Sequence, residues 1–325
     1  MDRDGFTGYL AERGFATESL GHLTDVAERF ESHAGDSGRA AAIPSFTRQL
    51  IEEGENTAEV FWALVVYGRF VGDDDLAAAV LSFVDGGEAL DNLHRRLGEA
   101  LGTGERDRVF AGIDLPPLGT PATELPAATQ AVMERIAAEV DPEVAGPILS
   151  DCLRDLDAAW YAEARAHFAE HGDIDALLAW RREGLLAMLE DLHRTGRPWF
   201  VQEITPEVLD FVRDHPEISS GVRRGDTIVE VKIPHMTKEW LAATDDRERR
   251  YHYCHCPWAK ESILRDDVEV PPAFCACSSG FHKRFWEEVL GRPLQAEVRE
   301  SVLAGDDRCT IAIQLPPDLV PDDDT

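Results

Sequence analysis

Lysine is nearly missing from this chain of 325 residues: it occurs only at Lys232, Lys238, Lys260 and Lys283, and Arg supplies nearly all the positive charge. Basic residues are few altogether. There are 32 of them against 62 acidic ones, a formal net charge of −30. No Lys/Arg stripe exists to release counterions from a phosphate backbone, which excludes nucleic acid as an expected partner. Attachment to an anionic membrane is disfavoured for the same reason. Long apolar runs are also lacking. The longest candidate, residues 60–70, is too short for the roughly 20 residues that span a bilayer. The start, Met1-Asp-Arg-Asp-Gly, has neither the basic region nor the apolar stretch of a secretory signal. A soluble, cytoplasmic, globular protein is expected, and 44% hydrophobic residues provide an ordinary core. No internal repeat of fixed period is present.

The acidity takes a particular form. Asp runs recur at residues 73–75 and 322–324. A GC-rich genome favours Arg over Lys but does not produce this charge. A salt-rich cytoplasm does, because a dense carboxylate surface stays hydrated where salt screens its self-repulsion. The halophilic reading is therefore preferred. Under it a lone Asp or Glu says little about catalysis.

Up to about residue 197 the chain reads as helices. Apolar residues recur at three- and four-residue spacing over 18–32, 57–70, 76–84 and 89–101. Gly and Pro residues then interrupt over 112–126. Helices resume over 127–140, 142–171 and 174–195. Trp160 and Trp180 are expected to pack in a helix–helix seam on the last two. Thr205-Pro206 reads as an N-cap and first helical position, with a helix running to about 214. Strands are expected over 225–233, 295–302 and 309–315, with helices over 258–264 and 281–290 between the first two. The fold class is α+β: an all-helical domain over 1–197, then a smaller α+β domain over 198–325 with a mainly antiparallel sheet.

Five of six cysteines fall in this last part. They are Cys254 and Cys256 in Tyr251-His-Tyr-Cys-His-Cys-Pro-Trp258, Cys275 and Cys277 in Phe274-Cys-Ala-Cys-Ser-Ser-Gly-Phe281, and Cys309. Cys152 stands apart, on an amphipathic helix, as a small buried hydrophobe. Without a secretion signal, structural disulfides are the weaker explanation. A Cys-x-Cys pair on an extended segment points both sulfurs to one face. Both pairs also approach expected helix N-termini, where the dipole would lower thiol pKa values.

Three chemistries compete: zinc or another thiophilic metal on some of Cys254, Cys256, Cys275, Cys277 and Cys309; a metal-free thiol site; and an iron–sulfur cluster or inert buried thiols. Spacing does not separate zinc from iron. Cys277 is the candidate nucleophile, with His255 or His282 as acid/base; His282 is placed at a helix start and His235 in a loop. The aromatics Tyr251, Tyr253, Trp258, Phe274, Phe281, Phe285 and Trp286 are candidate pocket walls or core.

From Cys275 to Leu315 the order of motifs resembles the C-terminal half of the 4-vinyl reductase-type domain, a small-molecule-binding α+β module. The motifs are Cys-Ala-Cys-Ser-Ser-Gly-Phe, Leu290-Gly291-Arg292-Pro293, a strand with Glu297 and Glu300, and Gly305-Asp306-Asp307-Arg308-Cys309. The segment is more loosely similar to the 2-amino-thiazoline-4-carboxylate hydrolase-like family, through its Cys-Pro-Trp segment and Gly-Asp-x-x-Cys end. In the related sensory domains Cys and acidic residues bind zinc beside a ligand pocket. The resemblance implies that Cys275 or Cys277 matches the first Cys and Cys309 the last. Ser301 stands where those sensors carry a further Cys. It implies hydrolysis or lysis of a small sulfur- or nitrogen-containing heterocycle; the alternative is a non-catalytic zinc-containing sensor.

Overall fold

The computed structural model describes residues 1–153 and 157–320. The Asp run at 322–324 and part of the helix expected over 142–171 lie outside the described residues. The chain forms two compact units, Met1–Gly87 with Leu115–Leu125, and Glu88–Asp114 with Pro126–Thr325. The boundary expected near residue 197 falls inside the second.

The first unit is helical: α1 (Arg3–Glu12), α2 (Leu20–Ala34), α3 (Arg39–Glu53), α4 (Ala58–Phe70) and α5 (Asp74–Val84). Its core is rich in aromatics, with Phe6, Phe30, Phe46, Phe61 and Tyr67 buried among Leu, Ile and Val. The side chains of Asp2, Thr57 and Asp73 cap α1, α4 and α5 by accepting backbone N–H bonds.

In the second unit come α6 (Ala89–Leu101), α7 (Thr103–Val109), α8 (Leu125–Glu139) and α9 (Pro142–Leu149), followed by α10 (Ala162–His171), α11 (Ile174–Thr195) and α12 (Pro206–Asp214). Then β1 (Val222–Arg224), β2 (Thr227–Val231), α13 (Thr237–Ala242), α14 (Asp246–Tyr253), α15 (Ala276–Leu290), β3 (Ala296–Glu300) and β4 (Thr310–Gln314) complete the chain. The sheet is antiparallel in the order β1-β2-β4-β3. The fold is α+β, mostly helical through its N-terminal part, with a small antiparallel sheet towards the C-terminus. Among the described residues no helix is long and apolar enough to cross a membrane.

Strand β2 is buried along its whole length, so both its faces are covered. Ile228 packs with Trp286 of α15 and with Ile174, Leu177 and Leu178 of α11. Val231, on the other face, packs with Leu189, Val208 and Val212 from α11 and α12. Helices α10 and α11 thus share a core with the sheet.

Two expectations need correction here. The continuous helix over 142–171 is broken: α9 ends at Leu149, and α10 starts only after a 3-10 turn at Ala158–Tyr161. Trp160 lies in that turn, 78% exposed, rather than in a seam. Trp160→Ala should therefore change stability by less than about 0.5 kcal/mol in a urea melt. Trp180 does pack, stacking on His167 with centroids 5.1 Å apart.

Candidate functional site

Helix α15 begins at Ala276, five residues before its expected start. Gly280 is the reason the helix can run there: a Cβ on it would sit 1.5 Å from the Ser150 carbonyl oxygen, so the backbones are in direct contact. The early start moves the site residues. Cys275 becomes the N-cap, Cys277 enters the first turn, and His282 moves from the expected helix start into the second turn. Cys275 and Cys277 are on a helical turn rather than an extended segment, so their side chains diverge instead of sharing a face. Cys254 is at the C-terminal end of α14, not before a helix N-terminus.

One stripe of α15 faces β2, with Cys275, Ser278, His282 and Trp286 at three- and four-residue spacing. Opposite it, alternation along β2 and just beyond brings Ile228, Glu230 and Lys232 to one face. The contacts match these patterns. Lys232 Nζ donates to Ser278 Oγ at 3.1 Å. His282 Nδ1 donates to Glu230 Oε2 at 2.6 Å, and Trp286 Nε1 donates to Glu230 Oε1 at 3.1 Å. Arg181 of α11 completes the set, giving one hydrogen bond to Glu230 Oε1 at 2.6 Å and others to the carbonyls of Ser219 and Ser220.

Glu230 is 1% exposed. Burial alone would raise its pKa, but Arg181 and His282 outweigh it and bring the carboxyl down to about 2. With Nδ1–H of His282 used on Glu230, Nε2 is its remaining ring nitrogen. That nitrogen is buried and has no hydrogen-bond partner among the described residues.

The cysteines gather at the Lys232 end. All six are free thiols. Cys254, Cys275 and Cys309 interact electrostatically in every pairing, and Cys256 interacts with Cys254, Cys275 and Cys277. Cys152 does not stand apart: it is fully buried in the bend after α9 and interacts with Cys277. Cys275 Sγ lies 3.1 Å from Ser301 Oγ. Ser301 thus lies directly beside the Cys275 thiol.

The expectation of lowered thiol pKa values is overturned, because burial dominates. It pushes Cys309 up to about 11 and Cys275 up to about 12, and raises Cys254, Cys256 and Cys277 as well. Lys232 opposes this at Cys254, Cys275, Cys277 and Cys309.

The histidines are fixed. His255 Nε2 donates to the Ile233 carbonyl at 2.6 Å, and burial holds its pKa well below the usual imidazole value. His235 packs against His255, the rings tilted at 44° with centroids 4.9 Å apart, and accepts from Lys260 Nζ at 3.2 Å. Burial, with help from Lys260 and Lys232, brings His235 down to about 3.

Of the candidate pocket walls, Tyr253, Trp258, Phe274 and Trp286 are buried core, while Phe281 is exposed. Glu300 is tied to Arg308 and Thr310, and Glu297 to Arg299. As the side chains stand, among the described residues no group of three or more His, Cys, Asp or Glu is close enough to hold a metal ion. The donor chemistry suits a thiophilic ion but the placement does not, and no step is derived through one.

A surface cavity of about 630 Å³ is lined by β3 together with Ala276, Ser279 and Ser301, the residue that contacts Cys275.

Sequence reasoning missed Glu230, Lys232, Lys260 and Arg181. Two signals pointed to the first three: a Glu inside a β-branched strand, and two of only four lysines flanking the cysteine motifs.

Comparison with protein-family models, with curated proteins and with solved structures finds no match.

Proposed function

We propose that the protein is a cytoplasmic enzyme of hydrolase or lyase type acting on a small molecule in the seam between β2 and α15. The observation that carries this reading is His282, held through Nδ1 by a buried carboxylate while its buried Nε2 has no hydrogen-bond partner among the described residues. A buried imidazole nitrogen without a partner is costly in a purely structural role. A carboxylate-oriented histidine is the arrangement that general acid–base catalysis uses. Glu230 sets the tautomer and stabilises the imidazolium that forms when Nε2 takes a proton.

Cys275 belongs to the same stripe as His282, two helical turns away, with Ser278 and Lys232 between them. Cys277, five residues from His282, is rotated well off that stripe. The thiol role is therefore assigned to Cys275. Lys232 and Ser301 favour its thiolate against burial. The resemblance supports small sulfur- or nitrogen-containing heterocycles as substrates, and the charge of −30 argues against nucleic acid.

The test is ring opening of a panel of thiazolines and related heterocycles, followed by loss of their absorbance. His282→Asn is expected to lower turnover by about 10²–10⁴-fold with the fold intact. Cys275→Ser should also suppress it. Turnover unchanged in both variants would defeat the assignment.

A second reading, a zinc-containing small-molecule-binding protein, draws support from the resemblance and from five cysteines in the last part of the chain. It predicts stoichiometric zinc in the purified protein and unfolding by chelator. Zinc-free protein that stays folded would rule it out.

A further inference from the structure

A second surface cavity, of about 560 Å³, lies within the second unit, lined by α6, the bend after α9, the C-terminal half of α15 and the turn that follows it. Its volume falls in the range of small-molecule pockets. Acids outnumber bases 62 to 32 over the whole chain, yet here the balance reverses. Arg96, Lys283, Arg284 and Arg292 line the cavity against Asp151, Glu287 and Glu288.

The three acids are already divided among partners. Glu288 takes Arg284 at 2.6 Å and Arg165 of α10 at 3.1 Å. Glu287 accepts the backbone N–H of Leu294 at 2.9 Å and lies 3.9 Å from Lys283. Asp151 is shared by Lys283 at 3.5 Å and Arg96 at 3.8 Å, so two cations, one from α15 and one from α6, converge on a single carboxylate. Asp318 takes Arg292 at 2.9 Å.

Arg96 is left short. Its side chain is 24% exposed, and Asp151 is the only acid within 4.0 Å of it among the described residues. At 3.8 Å that contact is too long for a hydrogen bond. Its Nε is buried without a partner among the described residues, as is that of Arg284. A guanidinium carries five N–H donors, and leaving them unmade away from water is costly.

We infer that this cavity binds a small molecule through an oxyanion group, carboxylate or phosphoryl, held by Arg96 with Lys283 and Arg284 beside it. The planar fork of an Arg matches two oxygens of such a group. The site is separate from the seam, since none of Glu230, Cys275 and His282 lines it, and the inference does not rest on the enzymatic reading.

The test is isothermal titration of the full chain with inorganic phosphate and, separately, acetate, at one fixed ionic strength, with thermal melts in the same buffers. Saturable binding at one anion per chain is expected, and the tighter of the two identifies phosphoryl or carboxylate as the natural group. Arg96→Gln should weaken it about tenfold or more, as loss of a charge-assisted hydrogen bond implies. Arg96→Lys keeps the charge without the fork and should weaken it less. Lys238→Gln, which removes a surface pair with Glu203, should leave it unchanged. The melts separate binding from a structural role. Without the anion Arg96→Gln should melt no lower than wild type, and the anion should raise the Tm of wild type alone. Absence of saturable binding, or binding that Arg96→Gln and Arg96→Lys both leave intact, overturns the inference. So does an Arg96→Gln protein that melts below wild type by the same amount with and without the anion.

Discussion

Gly280→Ala is expected to destabilise the second unit by about 3 kcal/mol or more, at the upper end of what overpacking costs. The added methyl would meet the Ser150 carbonyl oxygen at 1.5 Å, and both are backbone, so no side chain can swing away to relieve the clash. α15 would have to move off the bend after α9, taking Cys275, Ser278 and His282 with it. A control shares the chemistry without the contact. Gly184 lies inside α11 and a Cβ there meets nothing within 4 Å, so Gly184→Ala should stabilise by roughly 0.5–1 kcal/mol. Urea melts of the two variants should shift in opposite directions. Equal shifts would mean that α15 does not touch Ser150.

Glu230→Gln should cost roughly 3–5 kcal/mol, the usual result of removing one partner from a buried ion pair. Arg181, whose side chain is 15% exposed, would keep its charge and lose its counterion, and His282 would lose the acceptor that fixes its tautomer. The effect should depend on pH with a definite sign. The folded-state pKa of Glu230 is depressed, from an ordinary 4.5 to about 2. Its stabilisation is therefore complete above the ordinary value and drains away as pH falls towards about 2. The stability gap between wild type and Glu230→Gln should stay constant from neutral pH down to about 4.5 and then narrow. A gap that does not change with pH across that window would show that Glu230 is not the ionised partner of Arg181.

What the sequence revealed and what it concealed follow from how local each feature is. The helices at Ala89–Leu101 and Ile174–Thr195 were legible from apolar spacing, and Thr205-Pro206 announces the start of α12 through its own chemistry. Strands β2 and β4 were legible because β-branched residues cluster in them, whereas the short β1 was not expected. Helix α1 and helix α3, which has Pro44 in its first turns, went unread, as did the charged α14, whose sequence offers little apolar periodicity.

The start of α15 was misplaced because Ser278-Ser279-Gly280 resembles a loop, and only the contact with Ser150 explains a glycine there. The crowding of the thiols was visible in the sequence. Their pKa direction was not, since burial depends on what α14, α15 and the loop before β4 bury together. Arg181 had no signal at all. It comes from a helix forty-nine residues before the carboxylate it holds.

The central claim is spatial: thiols from the 254/256, 275/277 and 309 segments share one charged, buried seam, with Cys152 behind it. Zero-length oxidation of the six thiols, followed by mass-spectrometric mapping of the disulfides formed, tests it most directly. Links between segments are predicted, among Cys254, Cys275 and Cys309, and between Cys152 and Cys277. Disulfides confined to the 254/256 and 275/277 neighbours, or formed only between separate molecules, would contradict it.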